Sequence, residues 1–418
     1  MIRGSAMIDY EKRKRIMGRS IKLGHCICNP KEPCPCPLFK QKNVCLCSGE
    51  REEEAAEDVP LTQLVENAGC ASKISQDDLK KALSGLPRIF DPNVLVSSET
   101  CDDAGIYKLD EERALVQSVD VFTPVVDDPY LFGEIAAANS VSDIYAMGGR
   151  PLTALSIIGF PVERVSHRVM NKMMQGGIDK LREAGTVVLG GHSIKSKEIV
   201  FGFAVTGLVN PRHIITNDKA RPGDVLILTK PLGTGTISFA AQIGKAKPSW
   251  VEEAGRSMSA LNRLASEVMT KAGVRAATDV TGFGLLGHLG EMALQSAVTA
   301  EVYADAVPLF EGVLTCLRDQ IISGAIERNR EYASRFVKRN TAIEEALETA
   351  LYDPQTSGGL LMCVNAKKAE SVMKKLRKAG LERASVIGRI VGKSKGRILL
   401  RQSDDCRGTG IRRDRARS

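Results

Sequence analysis

Residues 278–288 read Thr-Asp-Val-Thr-Gly-Phe-Gly-Leu-Leu-Gly-His, and few folds can accommodate such a run. Strand character from Val274 to Val280 delivers Asp279 to a glycine-rich turn, and the turn opens a helix near Leu285. Gly282, Gly284 and Gly287 match G-x-G-x-x-G, and Glu301 follows about 20 residues later, as a dinucleotide-binding unit would place its acid. The incoming strand ends on an acid, however, and a carboxylate beside a pyrophosphate is repulsive unless a cation lies between them. An aspartate at a strand end, ahead of exposed backbone N–H groups, suits a Mg²⁺-bound nucleotide better than bare NAD. A tight turn with a solvated aspartate is the third reading.

The chain has 418 residues, 43% hydrophobic and 26% charged, enough for two or three domains with their own cores. No apolar run approaches the roughly 18–20 residues that span a bilayer. The first 25 residues carry many Lys and Arg and no hydrophobic segment, so a secretory signal is not expected. A formal charge of +8 favours anionic ligands, but with 5% aromatic residues a dedicated nucleic-acid binder is not expected. The reading is a cytoplasmic protein that engages no membrane. Composition divides it into a Cys-rich extension with an acidic linker (1–60), a first α/β domain (61–215), a second (216–400) and a basic, solvated tail (401–418).

Six of the 11 cysteines form three Cys-x-Cys pairs, Cys26/Cys28, Cys34/Cys36 and Cys45/Cys47. Residues i and i+2 of an extended segment point the same way, so each pair can offer two thiolates to one ion. Pro30, Pro33, Pro35 and Pro37 are expected to stiffen the connections and forbid a helix. In a reducing compartment such clustering favours metal over disulfide: zinc first, an iron–sulfur cluster second, with disulfides or redox-active thiols as the alternative.

Past the linker, Ala68 to Lys73 reads Ala-Gly-Cys-Ala-Ser-Lys. Cys70 follows a glycine and Lys73 lies three residues on, a pattern for an activated thiolate or simply a small apolar residue in a turn. Thr100, Cys101, Asp102 and Asp103 fall between two β-rich stretches (94–96 and 114–121), and Asp120 lies in the second. Asn139 and Asp143 sit at i, i+4 on a helix from Tyr130 to Met147, which Gly148 and Gly149 end. Residues 152–160 and 186–190 read as buried strands flanking a helix near 166–184. The second strand ends in Gly190, Gly191, His192 and Ser193, which could meet phosphate oxygens. Lys230 to Thr236 is glycine-rich but lacks the order of a Walker loop. Asp353 to Gly359 reads Asp-Pro-Gln-Thr-Ser-Gly-Gly and precedes a strand.

Together these stretches resemble selenophosphate synthetase from about Leu61 to Leu400. The resemblance is carried by residues 68–73, Cys-Asp-Asp-Ala (101–104), Ser-Asp-Ile-Tyr-Ala-Met-Gly-Gly (142–149), Gly-Gly-His-Ser (190–193), 278–288 and 353–359. It implies a two-domain α/β (α+β) fold like that of aminoimidazole ribonucleotide synthetase, with N-terminal sheets pairing into a β-barrel across a homodimer. It implies the reaction of ATP, selenide and water to selenophosphate, AMP and phosphate, supplying activated selenium for selenoprotein and seleno-tRNA synthesis. Asp103, Asp143 and Asp279 match Mg²⁺ ligands. Cys70 and Lys73 match the catalytic positions, and Lys73, Thr100, Cys101, Asp102, Asp120 and Asp143 match nucleotide contacts. Gly191, His192 and Ser193 match contacts to ATP across the dimer. The competing classes are a hydride-transferring Rossmann enzyme and a thiol–metal sensor driven by the extension, a part that members of the family do not need.

Overall fold

Short apolar runs separated by glycine and proline assemble into two sheets in the computed structural model, which describes residues 10–24, 26, 33–45, 48, 60–66, 68–72, 82, 84–85, 90–97 and 102–403. The first sheet holds β1 (Val94–Val96), β2 (Gly105–Lys108), β3 (Ala114–Phe122), β4 (Arg150–Phe160), β5 (Val187–Lys195) and β6 (Val200–Val209). Its order is β1-β2-β3-β6-β4-β5, antiparallel except where β4 meets β5. Parallel neighbours need a crossover, which the helix between them supplies.

In the extension, α1 (Tyr10–Leu23) and α2 (Pro37–Lys42) are helical. The expectation that the prolines forbid a helix fails at Pro37, which occupies the first turn of α2, where a missing N–H costs nothing. Arg13 of α1 donates to the carbonyl oxygen of Asn43, just past α2, at 2.9 Å.

One face of the first sheet carries α3 (Pro129–Ala146) and α4 (His167–Glu183). Asp128 caps α3 by accepting from the Leu131 N–H at 2.6 Å, and Gly148 turns the chain away at φ +75°. The two helices touch backbone to backbone. A Cβ at Gly133 would lie 1.9 Å from the Met173 carbonyl oxygen, and one at Gly176 would lie 2.0 Å from that of Tyr130. Beneath them Phe122, Phe132, Phe201 and Phe203 stack edge to face, with ring centroids 5.1 to 6.2 Å apart.

The second sheet holds β7 (Asp224–Leu228), β8 (Ala276–Asp279), β9 (Val298–Tyr303), β10 (Val337–Arg339), β11 (Leu360–Asn365), β12 (Ser385–Lys393) and β13 (Arg397–Arg401). Its order is β10-β13-β9-β12-β7-β11-β8. The helices that matter to the site are α5 (Thr234–Gln242) and α6 (Gly284–Gln295), while α7 (Ala366–Lys378) joins β11 to β12. Because α3 is wedged between the first sheet and this second unit, it is buried almost all round by Ala, Ser and Asn rather than along one stripe. Ser266 donates to the Tyr145 carbonyl oxygen at 2.7 Å and Asn262 to the Ser142 hydroxyl at 2.9 Å, tying the helix to the second unit.

Between the two β-rich stretches lies a further strand, β2. One expectation changes: the strand expected to be buried and to end in Gly190 to Ser193 runs on to Lys195 as β5, the exposed edge of the first sheet. Among the described residues, no helix is long and apolar enough to cross a membrane.

Candidate active site

Three distant stretches bring their aspartates together. Asp103 immediately precedes the Ala104 turn into β2, Asp143 lies near the end of α3, and Asp279 closes β8 opposite Leu360. Asp103 Oδ1 accepts from the Thr278 hydroxyl at 2.7 Å, whereas its Oδ2 is buried without a hydrogen bond. Burial, then the charges of Asp279, Asp143 and Asp102, push the Asp103 carboxyl well above the ordinary range. The Ser118 hydroxyl donates to Asp143 Oδ2. Asp279 is almost wholly buried. Among the described residues, no three His, Cys, Asp or Glu side chains are placed as a finished metal cage, so the aspartates form an electrostatic cluster rather than a closed one. An orphaned buried carboxylate oxygen repelled by neighbouring acids nevertheless fits a hard divalent cation, whose charge would remove the repulsion.

Beside the cluster runs the loop 353–359. Asp353 is fully buried, accepting from the Thr236 hydroxyl at 2.7 Å, the Gly235 N–H at 3.1 Å and the Gln355 amide at 2.8 Å. Burial outweighs these bonds and raises its carboxyl to about 7. Gln355 Oε1 accepts from the Gly233 and Thr234 N–H groups at 3.0 and 3.2 Å, fastening the loop to the start of α5. The Ser357 N–H donates to Asn139 Oδ1 at 2.8 Å, and Asn139 Nδ2 donates to Asp120. Asp102 Oδ1 accepts from the Asn217 N–H at 2.6 Å.

Cys70 opens a short 3₁₀ turn (Cys70–Ser72) and is buried. Its N–H donates to the Thr356 hydroxyl oxygen at 3.1 Å, so the thiol-bearing turn is held against the same loop. Lys73, Thr100 and Cys101 lie outside the described residues. Gly191, His192 and Ser193 stand exposed on β5, and no described element of the same chain brings them to the aspartates.

The chain resembles known proteins over nearly all of these elements. The selenide, water dikinase of Pelobacter propionicus is 45% identical over 342 residues, covering 82% of this chain and 98% of its own. That of Carboxydothermus hydrogenoformans is 46% identical over 346 residues, covering 83% and 100%. The chain belongs to the selenide, water dikinase family. Domain profiles agree: AIR synthase related protein, N-terminal domain, matches residues 101–209, and its C-terminal domain matches residues 221–401. At the level of fold, the chain resembles the thiamine-monophosphate kinase from Stenotrophomonas maltophilia (TM-score 0.55, 19% identity, 79% of this chain and 96% of that one). It also resembles the hydrogenase maturation protein HypE in complex with ATP (TM-score 0.52, 20% identity, 75% and 87%). The AIR synthase-like α/β fold expected from the sequence is the one found.

In this chain the glycine motif does not build a dinucleotide site. The turn after β8 is closed by its own helix, because the Thr281 N–H donates to His288 Nε2 at 3.1 Å. Gly284 has φ +69°, and a Cβ there would lie 2.8 Å from the Tyr352 carbonyl, so the glycine serves close backbone packing. Glu301 is buried in β9 and gripped by Arg389 at 2.8 Å and Arg401 at 2.7 Å, which leaves no acid for a ribose.

The sequence reading passed over Lys230 and Thr356 as site residues. Lys230 is buried and donates to the carbonyl oxygens of Ala260 at 2.7 Å and Ser357 at 2.9 Å. Burial lowers its pKa to about 7, opposed by the charge of Asp279. A lysine in a glycine-rich stretch that fails the Walker pattern was the available signal. In the extension, Cys26 and Cys45 are buried and Cys34 and Cys36 half-buried, while Cys28 and Cys47 lie outside the described residues. Burial raises the Cys34 thiol, with Cys26, Cys45 and Cys36 adding to the effect. No described trio completes a metal site there, so zinc or an iron–sulfur cluster rests on the sequence pattern alone.

Proposed function

We propose that the chain converts ATP, selenide and water into selenophosphate, AMP and phosphate, supplying activated selenium for selenoprotein and seleno-tRNA synthesis. The carrying observation is the Asp103 carboxyl, with Oδ2 buried and without a hydrogen bond and with Asp279 and Asp143 as repelling neighbours, in a chain similar to selenide, water dikinases. In this reading Asp103, Asp143 and Asp279 hold Mg²⁺, which supplies charge neutralisation for the triphosphate. Phosphoryl transfer asks a protein mainly for alignment and charge compensation. Asp102 and Asp120, each already oriented by a hydrogen bond, would contact the nucleotide with Thr100 and Cys101. Lys73 would add a cation near the transferring phosphoryl, and Cys70 would be the thiolate that meets selenium. Phosphorus NMR of an anaerobic reaction should show selenophosphate, AMP and phosphate only when selenide and Mg²⁺ are both present. ATP left intact, or stopped at ADP, would sink the assignment.

Homodimerisation through the first sheet belongs to the same proposal. Alternation along β3 and β4 buries Asp120, Phe122, Ala154 and Ile158 under the helices and turns Val119 and Leu155 outward. Val119 is 61% exposed and Leu189 on β5 is 66% exposed, an apolar face that water would leave uncovered in a monomer. Gly191, His192 and Ser193 stand at its edge, where they could reach a partner's nucleotide. Sedimentation at micromolar concentration should give twice the chain mass, and Val119→Asp with Leu155→Asp should give single chains of lower activity. A fully active wild-type monomer would rule this out.

A further inference from the structure

The turn that carries Cys70 is positioned from the opposite end of the sequence. Gly69 has φ +62°, and a Cβ there would lie 2.6 Å from Thr356 Oγ1 and 2.9 Å from Val125 Cγ2. That approach lets the Cys70 N–H reach the Thr356 hydroxyl oxygen at 3.1 Å, across 286 residues. Arg328 of the second unit donates to the Ala71 carbonyl oxygen at 3.1 Å, so two successive residues of the turn are held by the second unit.

Thr356 itself has little freedom. Its N–H donates to the Thr234 hydroxyl at 2.9 Å at the start of α5. Its neighbour Ser357, left-handed at φ +49°, is tied through its N–H to Asn139 on the helix that carries Asp143, and through its carbonyl oxygen to Lys230. One short loop thus fixes both the Cys70 turn and, through Asn139, the Asp120 carboxylate.

We propose that Thr356 is a positioning residue for Cys70: its hydroxyl oxygen seats the Cys70 backbone so that the thiol faces the aspartate cluster only when the 353–359 loop is in place. This rests on the reading that Cys70 is the selenium-handling thiol, but its physical content, a tether, can be measured separately. Valine keeps the outline of threonine and removes the acceptor, while serine restores it.

Two readouts apply to full-length Thr356→Val and Thr356→Ser: steady-state kinetics, and the iodoacetamide alkylation rate of Cys70 followed by site-resolved mass spectrometry. In Thr356→Val, kcat should fall about tenfold with KM for ATP moving less than about twofold, and Cys70 should alkylate about tenfold faster. Tenfold corresponds to about 1.4 kcal/mol, within the range for a buried N–H that loses its acceptor. Thr356→Ser should return both values to within about twofold of wild type. Wild-type alkylation in Thr356→Val, or a serine variant no better than the valine one, would overturn the proposal. So would faster alkylation with unchanged kcat, which would leave a tether that positions nothing. If Cys70 is not the selenium-handling thiol, Cys70→Ser stays active, whereas the alkylation rates still report the tether.

Discussion

Asp279→Asn should reduce selenide-dependent ATP turnover by about two to three orders of magnitude, the usual loss when a group that stabilises transition-state charge is removed. Asp279 closes β8, is buried, and is the largest charged contributor to the raised Asp103 carboxyl. A neutral amide at this position would leave the strand pairing with Leu360 intact, since that pairing uses the backbone alone. Two electrostatic consequences then oppose each other. Relief of the repulsion on Asp103 favours the folded state, while Lys230, which Asp279 helps to keep charged, loses a favourable neighbour. The melting temperature of the metal-free protein should therefore stay within about 2 °C of wild type, a shift of roughly 2 kcal/mol or less for a chain of this size. Asp143→Asn should behave alike in turnover, with the Ser118 hydroxyl still able to donate to the remaining carbonyl oxygen. Isothermal titration with Mg²⁺ and a nonhydrolysable ATP analogue should show weakened metal-dependent binding in both. Turnover within tenfold of wild type in natively folded variants would mean that these aspartates hold no metal.

The readable part of this site was the part made of short contiguous strings. Asp279 at a strand end before a glycine turn is local chemistry, and β8, the turn and α6 appear where the pattern put them. The glycine pattern itself misleads, because a short regular expression cannot tell a glycine facing phosphate from one, like Gly284, facing the Tyr352 backbone. Glu301 shows the same limit: its spacing suits a ribose ligand, but its partners Arg389 and Arg401 are 88 and 100 residues away and lie on neighbouring strands. Gly190 to Ser193 read as the end of a strand because glycines punctuate strands, yet an edge strand continues through them where one flank is unpaired. Lys230 and Thr356 were unreadable as site residues for a different reason. Their roles are defined by Ser357 and Cys70, 127 and 286 residues distant, and no local pattern encodes a partner that far along the chain.

Cys70→Ser should lower selenide-dependent turnover by at least about 10³-fold while the nucleotide still binds. The substitution is nearly isosteric, and the bond that seats the turn comes from the backbone N–H to Thr356, so the serine variant keeps its place. What changes is chemistry: a serine hydroxyl ionises far less readily than a thiol and has little affinity for selenium, so no nucleophile or selenium-binding atom remains at that point. Because ATP contacts in the proposed site come from Asp102, Asp120 and the aspartate cluster, Kd for a nonhydrolysable ATP analogue should change by less than about twofold. Cys101→Ser is the matched control, since Cys101 adjoins the same acidic stretch and has no proposed selenium role. Equal losses in the two variants would mark Cys70 as structural, and a Cys70→Ser protein turning over near the wild-type rate would remove it from the mechanism. A loss at Cys70 alone, with alkylation of the wild-type protein abolishing activity in step with modification of that one thiol, would make its position beside Thr356 the point at which selenium meets the phosphates.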